Sequence, residues 1–299
     1  MNNKKIICIV GPTAIGKTDL SIEIADYLKT EIISADSRQF YKELLIGASP
    51  PKPDYLKRIK HHFIHHLSVT DNYNAGKYEN DAIKLITKLH KKHDTLIVAG
   101  GSGLYIDAIC KGFDFIPTVS YETRKKLNTD FKKNGLIWLQ DKVAEIDSFF
   151  YNSCEKNNHQ RLLRALEVFT ETKQTFSSFQ TKHKKLRNFD VIKIGINTNR
   201  NLLYKKINKR VDIMIKKGLL EEVISLKKYS RNNALQTVGY KEIFSFLKNE
   251  ISLNHAIDKI KQNTRRFAKR QLTWFKKDKQ IKWFEINQNK EIIKFISKL

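Results

Sequence analysis

Apolar positions along the chain fall into two rhythms. Residues 6–10 form an unbroken apolar run that predicts a short buried strand, and the glycine-bearing residues 11–18 predict a loop after it. Leu20, Ile22, Ile24, Ala25 and Leu28 give residues 19–29 a helical stripe, and residues 31–34 predict a second strand. Pro50, Pro51 and Pro53 mark an irregular stretch over residues 50–77. Ala82, Ile83, Ile86 and Leu89 predict a helix over residues 78–93. Residues 95–99 predict a third strand, ending in Gly100-Gly101-Ser102-Gly103, and residues 104–110 a further helix. Strand, turn, helix, strand, helix, strand is the order of a parallel α/β sheet. The rhythm then changes. Residues 117–187 carry helical periodicity without a strand pair, residues 189–196 resume as an alternating strand, and residues 201–228 and 255–277 predict long helices.

Composition adds a partner class. The 56 Lys and Arg against 31 Asp and Glu give a net charge of +25, which favours a polyanion and nucleic acid first. Only 12 of the basic residues are Arg, so drift in an AT-rich genome is a second source of the charge. Clustering separates the two. Residues 259–282 hold ten basic side chains against one acid, Asp278, and residues 182–187 (KHKKLR) hold no acid at all. A solvated face mixes signs. The apolar run at residues 6–10 is too short for a signal peptide, and no segment nears the ~20 apolar residues of a membrane span. Cys8, Cys110 and Cys154 are too scattered for a disulfide framework or a zinc site. A cytoplasmic protein with no membrane contact is expected.

Residues 11–18, GPTAIGKT, fit G-x-x-x-x-G-K-[ST] directly between a strand and a helix. In this motif glycines let backbone N–H groups curl toward phosphate oxygens, the helix N-terminus adds positive potential, and the Lys supplies a full charge. Gly11, Pro12, Thr13, Ala14, Ile15, Gly16, Lys17 and Thr18 are therefore expected to bind a di- or triphosphate, with the Thr18 hydroxyl offered to Mg²⁺. The fold class that follows is α/β: a P-loop NTPase-like parallel sheet core over residues 1–116 and 188–299, ending in C-terminal helices, with a helical insertion domain at residues 117–187. The third strand ends without the acid that an ordinary P-loop ATPase uses for Mg²⁺. Its small residues are expected to leave room for a group to approach the phosphates. The acid follows the second strand instead, as Asp36, whose plainer role is a turn or helix cap. Asp36, Ser102 and the phosphate loop share the carboxyl ends of the strands.

Eight stretches in order make the chain resemble the tRNA dimethylallyltransferase family. They are GPTAIGKT at 11–18, ISADSRQFY at 33–41, HHL at 65–67, VAGGSGLY at 98–105, QRLLRALEVF at 160–169, RVDIMIKKGLLEEV at 210–223, VGYKE at 238–242 and TRRFAKRQLTWF at 264–275. The resemblance implies transfer of a dimethylallyl group from its diphosphate to N6 of the adenine just 3′ of a tRNA anticodon, with Mg²⁺ as cofactor. It implies catalytic roles for Asp36 as general base, Ser102 where the family has Thr, Thr18, and Arg210 on the diphosphate. It implies tRNA contacts from Ser37, Arg38 and Gln39 beside Asp36 and Ser102, from Arg124, and from Gln160, Arg161, Leu162, Leu163 and Arg164. The partners it implies are the anticodon stem-loop and dimethylallyl diphosphate, and a monomer is the default expectation for a protein that wraps around a stem-loop.

Residues 73–78 depart from the family's YxVADF-like stretch, so that loop is expected to pack differently. No zinc finger follows the core, as in bacterial members. His61, His62, His65 and His66 have metal-like i, i+4 spacing, but no Cys or acid cluster joins them. The apolar stripe Ile257, Ile260, Phe267 and Trp274 is expected to pack on the core, leaving the basic side of that helix for RNA backbone. Three rival readings remain: a P-loop nucleotide or small-molecule kinase, an adenylate isopentenyltransferase acting on a free nucleotide, and a non-catalytic RNA-binding protein.

Overall fold

The computed structural model describes residues 4–181 and 185–299. Lys182, His183 and Lys184 of the second basic cluster lie outside the described residues. The chain divides into two compact units, Met1–Lys111 with Leu186–Leu299, and Gly112–Lys185. In the first unit, β1 (Lys5–Val10), β2 (Ile32–Ser34), β3 (His61–His62), β4 (Thr95–Gly100), β5 (Asp190–Asn197) and β6 (Ile281–Glu285) form one sheet in the order β3-β2-β4-β1-β5-β6. All adjacent pairs are parallel. β1 is central, and its residues Ile6 to Val10 are buried, because a parallel strand has helices over both faces.

The connecting helices are α1 (Lys17–Leu28), α2 (Pro53–Arg58), α3 (Ala75–Leu89) and α4 (Gly103–Cys110). Pro53 stands at the first turn of α2, where a missing N–H costs nothing, so the proline-marked stretch is less irregular than its composition suggests. The departing residues 73–78 are well packed. Asn74 caps α3 by accepting from the Lys77 N–H at 2.9 Å, and the buried Tyr78 hydroxyl donates to the Ser34 carbonyl at 2.9 Å. Phe40 and Tyr78 stack at 5.5 Å between ring centres.

The second unit contains α5 (Tyr121–Ile146), α6 (Ser148–Ser153) and α7 (His159–Thr172). Gly135, at φ 79°, breaks the regularity of α5. Leu139, Val143, Phe150, Leu162 and Leu166 form this unit's own core. The chain returns to the first unit through β5 and continues with α8 (Arg200–Lys216), α9 (Leu219–Ser225), α10 (Tyr240–Leu247), α11 (Leu253–Lys276) and, after β6, α12 (Asn289–Ile296). The single helix expected over residues 201–228 is two. Gly218, at φ 94°, ends α8 and redirects α9. Among the described residues no helix is long and apolar enough to cross a membrane.

Candidate active site

The phosphate loop leaves β1 at Gly11, whose φ is 147° and where a Cβ would come within 2.6 Å of the Ile196 carbonyl oxygen. Glycine is required there because β5 passes close behind the loop. Gly16, at φ 101°, then admits the chain to α1. The Ile15 side chain is buried in the core, which leaves its backbone N–H as its one group for a phosphate, and the Pro12 carbonyl accepts from Lys17 Nζ at 2.7 Å. The Thr13 N–H departs from the expected pattern. It donates to Gln271 Oε1 at 2.9 Å rather than into the cradle.

Arg210, on α8, closes the loop from another direction. It donates through Nη1 to Thr13 Oγ1 at 3.2 Å and through Nε to Ser49 Oγ at 3.0 Å. Lys17 opens partly to the pocket, yet its ammonium is enclosed by protein. Burial pulls its pKa from the usual lysine value to about 7, with Arg210 adding to the fall and Asp36 opposing it. Burial also lowers the Arg210 pKa, again against the pull of Asp36.

Asp36 follows β2. Its Oδ1 accepts from the Arg38 N–H at 3.0 Å, so the turn role and the site role coexist in one carboxylate. Ser102 stands at the start of α4 but does not cap it with its side chain. Its hydroxyl accepts from the Ser37 N–H at 3.2 Å instead, joining the two loops. The small residues at the end of β4 border open space, with Gly100 and Gly101 lining one cavity and Gly101, Ser102 and Gly103 the other, and they also make room for protein. A Cβ at Gly100 would strike the Ala35 backbone, one at Gly101 the Gln271 amide, and one at Gly103 the Trp274 indole.

Two cavities meet among these residues. One, of about 380 Å³, is walled by apolar side chains including Val211, Met214 and Phe267. The other, of about 510 Å³, holds the phosphate loop, Lys17 and Thr18. Thr13, Asp36, Gly101, Arg210, Phe267 and Gln271 line both. A crevice with an anion cradle at one end, an apolar chamber at the other and a carboxylate between them suits transfer of an apolar group off a phosphate.

The model of the family described as IPP transferase matches residues 39–278. The chain belongs to that family. It is 51% identical over 288 residues to a tRNA dimethylallyltransferase of Christiangramia forsetii, covering 96% of this chain and 95% of that one. It is 45% identical over 296 residues to tRNA dimethylallyltransferase 1 of Bacteroides fragilis, covering 99% and 98%. The full-length tRNA isopentenylpyrophosphate transferase of Bacillus halodurans superposes with a TM-score of 0.73 at 32% identity, over 99% of this chain and 96% of that one. A eukaryotic dimethylallyltransferase acting on tRNA shares the fold, with a TM-score of 0.80 at 24% identity over 95% of this chain and 74% of that one.

Within this IPP transferase, the remaining expected site residues scatter by environment. Ser37 and Arg38 line the apolar cavity, and Arg38 also donates to the Asn233 and Ala234 carbonyls at 3.1 and 3.2 Å. Gln39 faces the phosphate side, with both amide atoms engaged: Oε1 accepts from Ser34 Oγ at 3.1 Å and Nε2 donates to the Ser49 carbonyl at 3.1 Å. These two bonds brace the loop that follows β2. In the helical unit Gln160 and Arg161 are exposed, while Leu162 and Leu163 are 0% and 7% exposed in its core. The expected RNA contact by those two leucines is therefore corrected: they seat α7. Arg124 and Arg164 converge on the buried Glu167 at 3.3 and 3.7 Å, and Arg164 also donates to the Pro117 carbonyl at 2.9 Å.

The four histidines have separate surroundings. His61 Nδ1 lies 2.8 Å from the Ile59 carbonyl, His62 Nε2 is 2.5 Å from Glu31, the His65 N–H donates to the Gln39 carbonyl at 2.9 Å, and His66 packs edge-on to Phe40. Among the described residues no group of three or more His, Cys, Asp or Glu side chains is placed to hold a metal. The stripe on α11 is corrected in part. Ile260 is buried as expected, but Phe267 and Trp274 are 39% and 41% exposed and line the apolar cavity. Three residues went unread in the sequence: Ser49, Glu222 and Gln271. Only Gln271 carried a signal, as a polar residue on the buried side of an amphipathic helix.

Proposed function

We propose that this transferase moves a dimethylallyl group from dimethylallyl diphosphate to N6 of the adenine 3′-adjacent to the anticodon of tRNA, releasing pyrophosphate. The observation that carries this reading is the meeting of the phosphate cradle and the apolar cavity at Asp36 and Arg210. Lys17, Arg210 and the loop amides bind the diphosphate and stabilise the charge it gains as the allylic C–O bond breaks. The electron pair of that bond leaves with pyrophosphate. The adenine, extruded from its stack, presents its exocyclic amine to the allylic carbon. As the N–C bond forms, the Asp36 carboxylate takes the amine's proton.

The donor set fits Mg²⁺. Thr18 offers one hydroxyl in the phosphate chamber, and a hard cation that keeps its waters needs little more than that and diphosphate oxygens. When bound, Mg²⁺ would supply further neutralisation of the leaving group. Gln160 and Arg161 on α7 and the basic side of α11 would meet the anticodon stem-loop. We place the enzyme in the cytoplasm as a monomer, with its tRNA.

The test is purified protein with radiolabelled dimethylallyl diphosphate and bulk tRNA. Label is expected in RNA, with one pyrophosphate released per transfer. Phosphate release from ATP without transfer to RNA would turn the reading to a kinase, and alkylation of free adenylate alone to the nucleotide branch.

A further inference from the structure

We propose that Gln271 is a positioning residue for the alkyl transfer, setting the spacing between the phosphate cradle and the loop that carries Ser102. This rests on the transfer reading above. Gln271 sits on α11, is 7% exposed, and uses both ends of its amide. Oε1 accepts from the Thr13 N–H at 2.9 Å, and Nε2 donates to the Gly101 carbonyl at 2.8 Å. The partners fix the amide's orientation, because a backbone N–H only donates and a carbonyl only accepts.

Each partner leads to a reacting group. Thr13 holds Arg210 through its hydroxyl at 3.2 Å. Gly101 precedes Ser102, whose N–H donates to the Ala35 carbonyl at 3.3 Å, one residue before Asp36. Gly101 has no Cβ because the Gln271 amide fills that space. One side chain therefore ties the cradle that holds the leaving group to the loops that hold the base. A core-facing helix position is filled more cheaply by an apolar residue unless the polar group has work to do. A misplacement of about 1 Å between reacting groups costs on the order of 10²-fold in rate.

The experiment compares Gln271→Met, which keeps the shape and loses both hydrogen bonds, with Gln271→Glu. Transfer of label to tRNA is measured as kcat and KM, with active sites counted by pyrophosphate titration so that misfolded protein does not enter the rate. Gln271→Met is expected to lose at least tenfold in kcat per active site, with KM for both substrates within threefold. A kcat within threefold of wild type overturns the role. In Gln271→Glu the protonated carboxyl reproduces the amide, donating to Gly101 and accepting from Thr13, whereas the ionised form confronts the Gly101 carbonyl. Its kcat relative to wild type is expected to rise as pH falls from 8.5 to 5.5. Should Gln271→Met fail to fold, a flat ratio decides against the proposal. Absence of transfer by the wild type would reject the transfer reading itself, whereas active wild type with unimpaired variants rejects only the role of Gln271.

Discussion

Asp36 and Lys17 do different work within one field. The Arg38 N–H fixes the plane of the Asp36 carboxylate at 3.0 Å, so the group is aimed before any base arrives. Asp36→Asn keeps that acceptor and removes the base. It is expected to lower transfer by about 10²–10⁴-fold with unchanged thermal stability. Pyrophosphate affinity at pH 6 should stay within threefold, and an Asn variant retaining most of the activity would exclude Asp36 as the base. Choosing pH 6 matters because Asp36 also supports the charge on Lys17. With its pKa near 7, Lys17 is protonated below neutrality and largely neutral above it in the free protein. A bound diphosphate favours the charged form. Affinity for pyrophosphate should therefore be full below pH 7 and weaken as pH rises past about 7, with uptake of close to one proton per site at pH 8. Calorimetry in two buffers of different ionisation enthalpy measures that proton. The Lys17→Arg variant, which does not titrate there, supplies the reference, and equal proton uptake by both proteins would contradict the assignment.

The elements around the crevice are pinned by carboxylates rather than by apolar packing alone. Glu222 on α9 accepts from the N–H groups of Leu45, Ile46 and Gly47 at 2.9, 2.6 and 3.0 Å and from the Tyr240 hydroxyl at 2.6 Å. The loop it holds ends at Ser49, a residue at φ 45° whose hydroxyl accepts from Arg210. Glu222→Ala strips four donors of their partner and is expected to cost about 3 kcal/mol in urea unfolding, against about 1 for Glu222→Gln. Equal, small losses in both would mean that water replaces the carboxylate. This clamp was illegible in the sequence for a definite reason. Its three backbone partners lie more than 170 positions from Glu222, and the turn at Gly218 that aims α9 interrupts a periodicity that reads as one helix. Gln271 meets Gly101 across 170 positions in the same way. The phosphate loop, by contrast, was legible because glycines at residues 11 and 16 fix its backbone locally. β3 has two residues and no pattern to read. β6 follows the Lys-rich end of α11, whose charges mask a short strand, and α12 follows after it.

At the scale of the whole molecule, the charge of +25 is expected to act through particular faces rather than as a total. The basic residues of α11 divide in the structure. Arg265 donates to Asn208 at 2.7 Å and Lys261 pairs with Asp212 at 2.6 Å, so both serve packing. Arg266, Lys269 and Arg270 stand exposed, and Arg270 lines the apolar cavity together with Phe267. The second unit contributes Arg161 in the open, while Arg124 and Arg164 share their charge with Glu167. An RNA that neutralises its phosphates on such side chains releases condensed counterions, and binding then falls with salt in proportion to the contacts made. With roughly six contacts, affinity for tRNA should drop by about 10³ between 50 and 200 mM salt. Replacing Arg266, Lys269 and Arg270 together by Gln should flatten the slope of log affinity against log salt by about three, close to one per phosphate lost. The same triple change at Lys290, Lys294 and Lys298, exposed on and just after α12, should leave the slope alone, because those charges have no assigned phosphate. If both triple variants moved the slope equally, the excess of Lys over acid would be a general cloud around the protein, and α11 would lose its claim to the RNA.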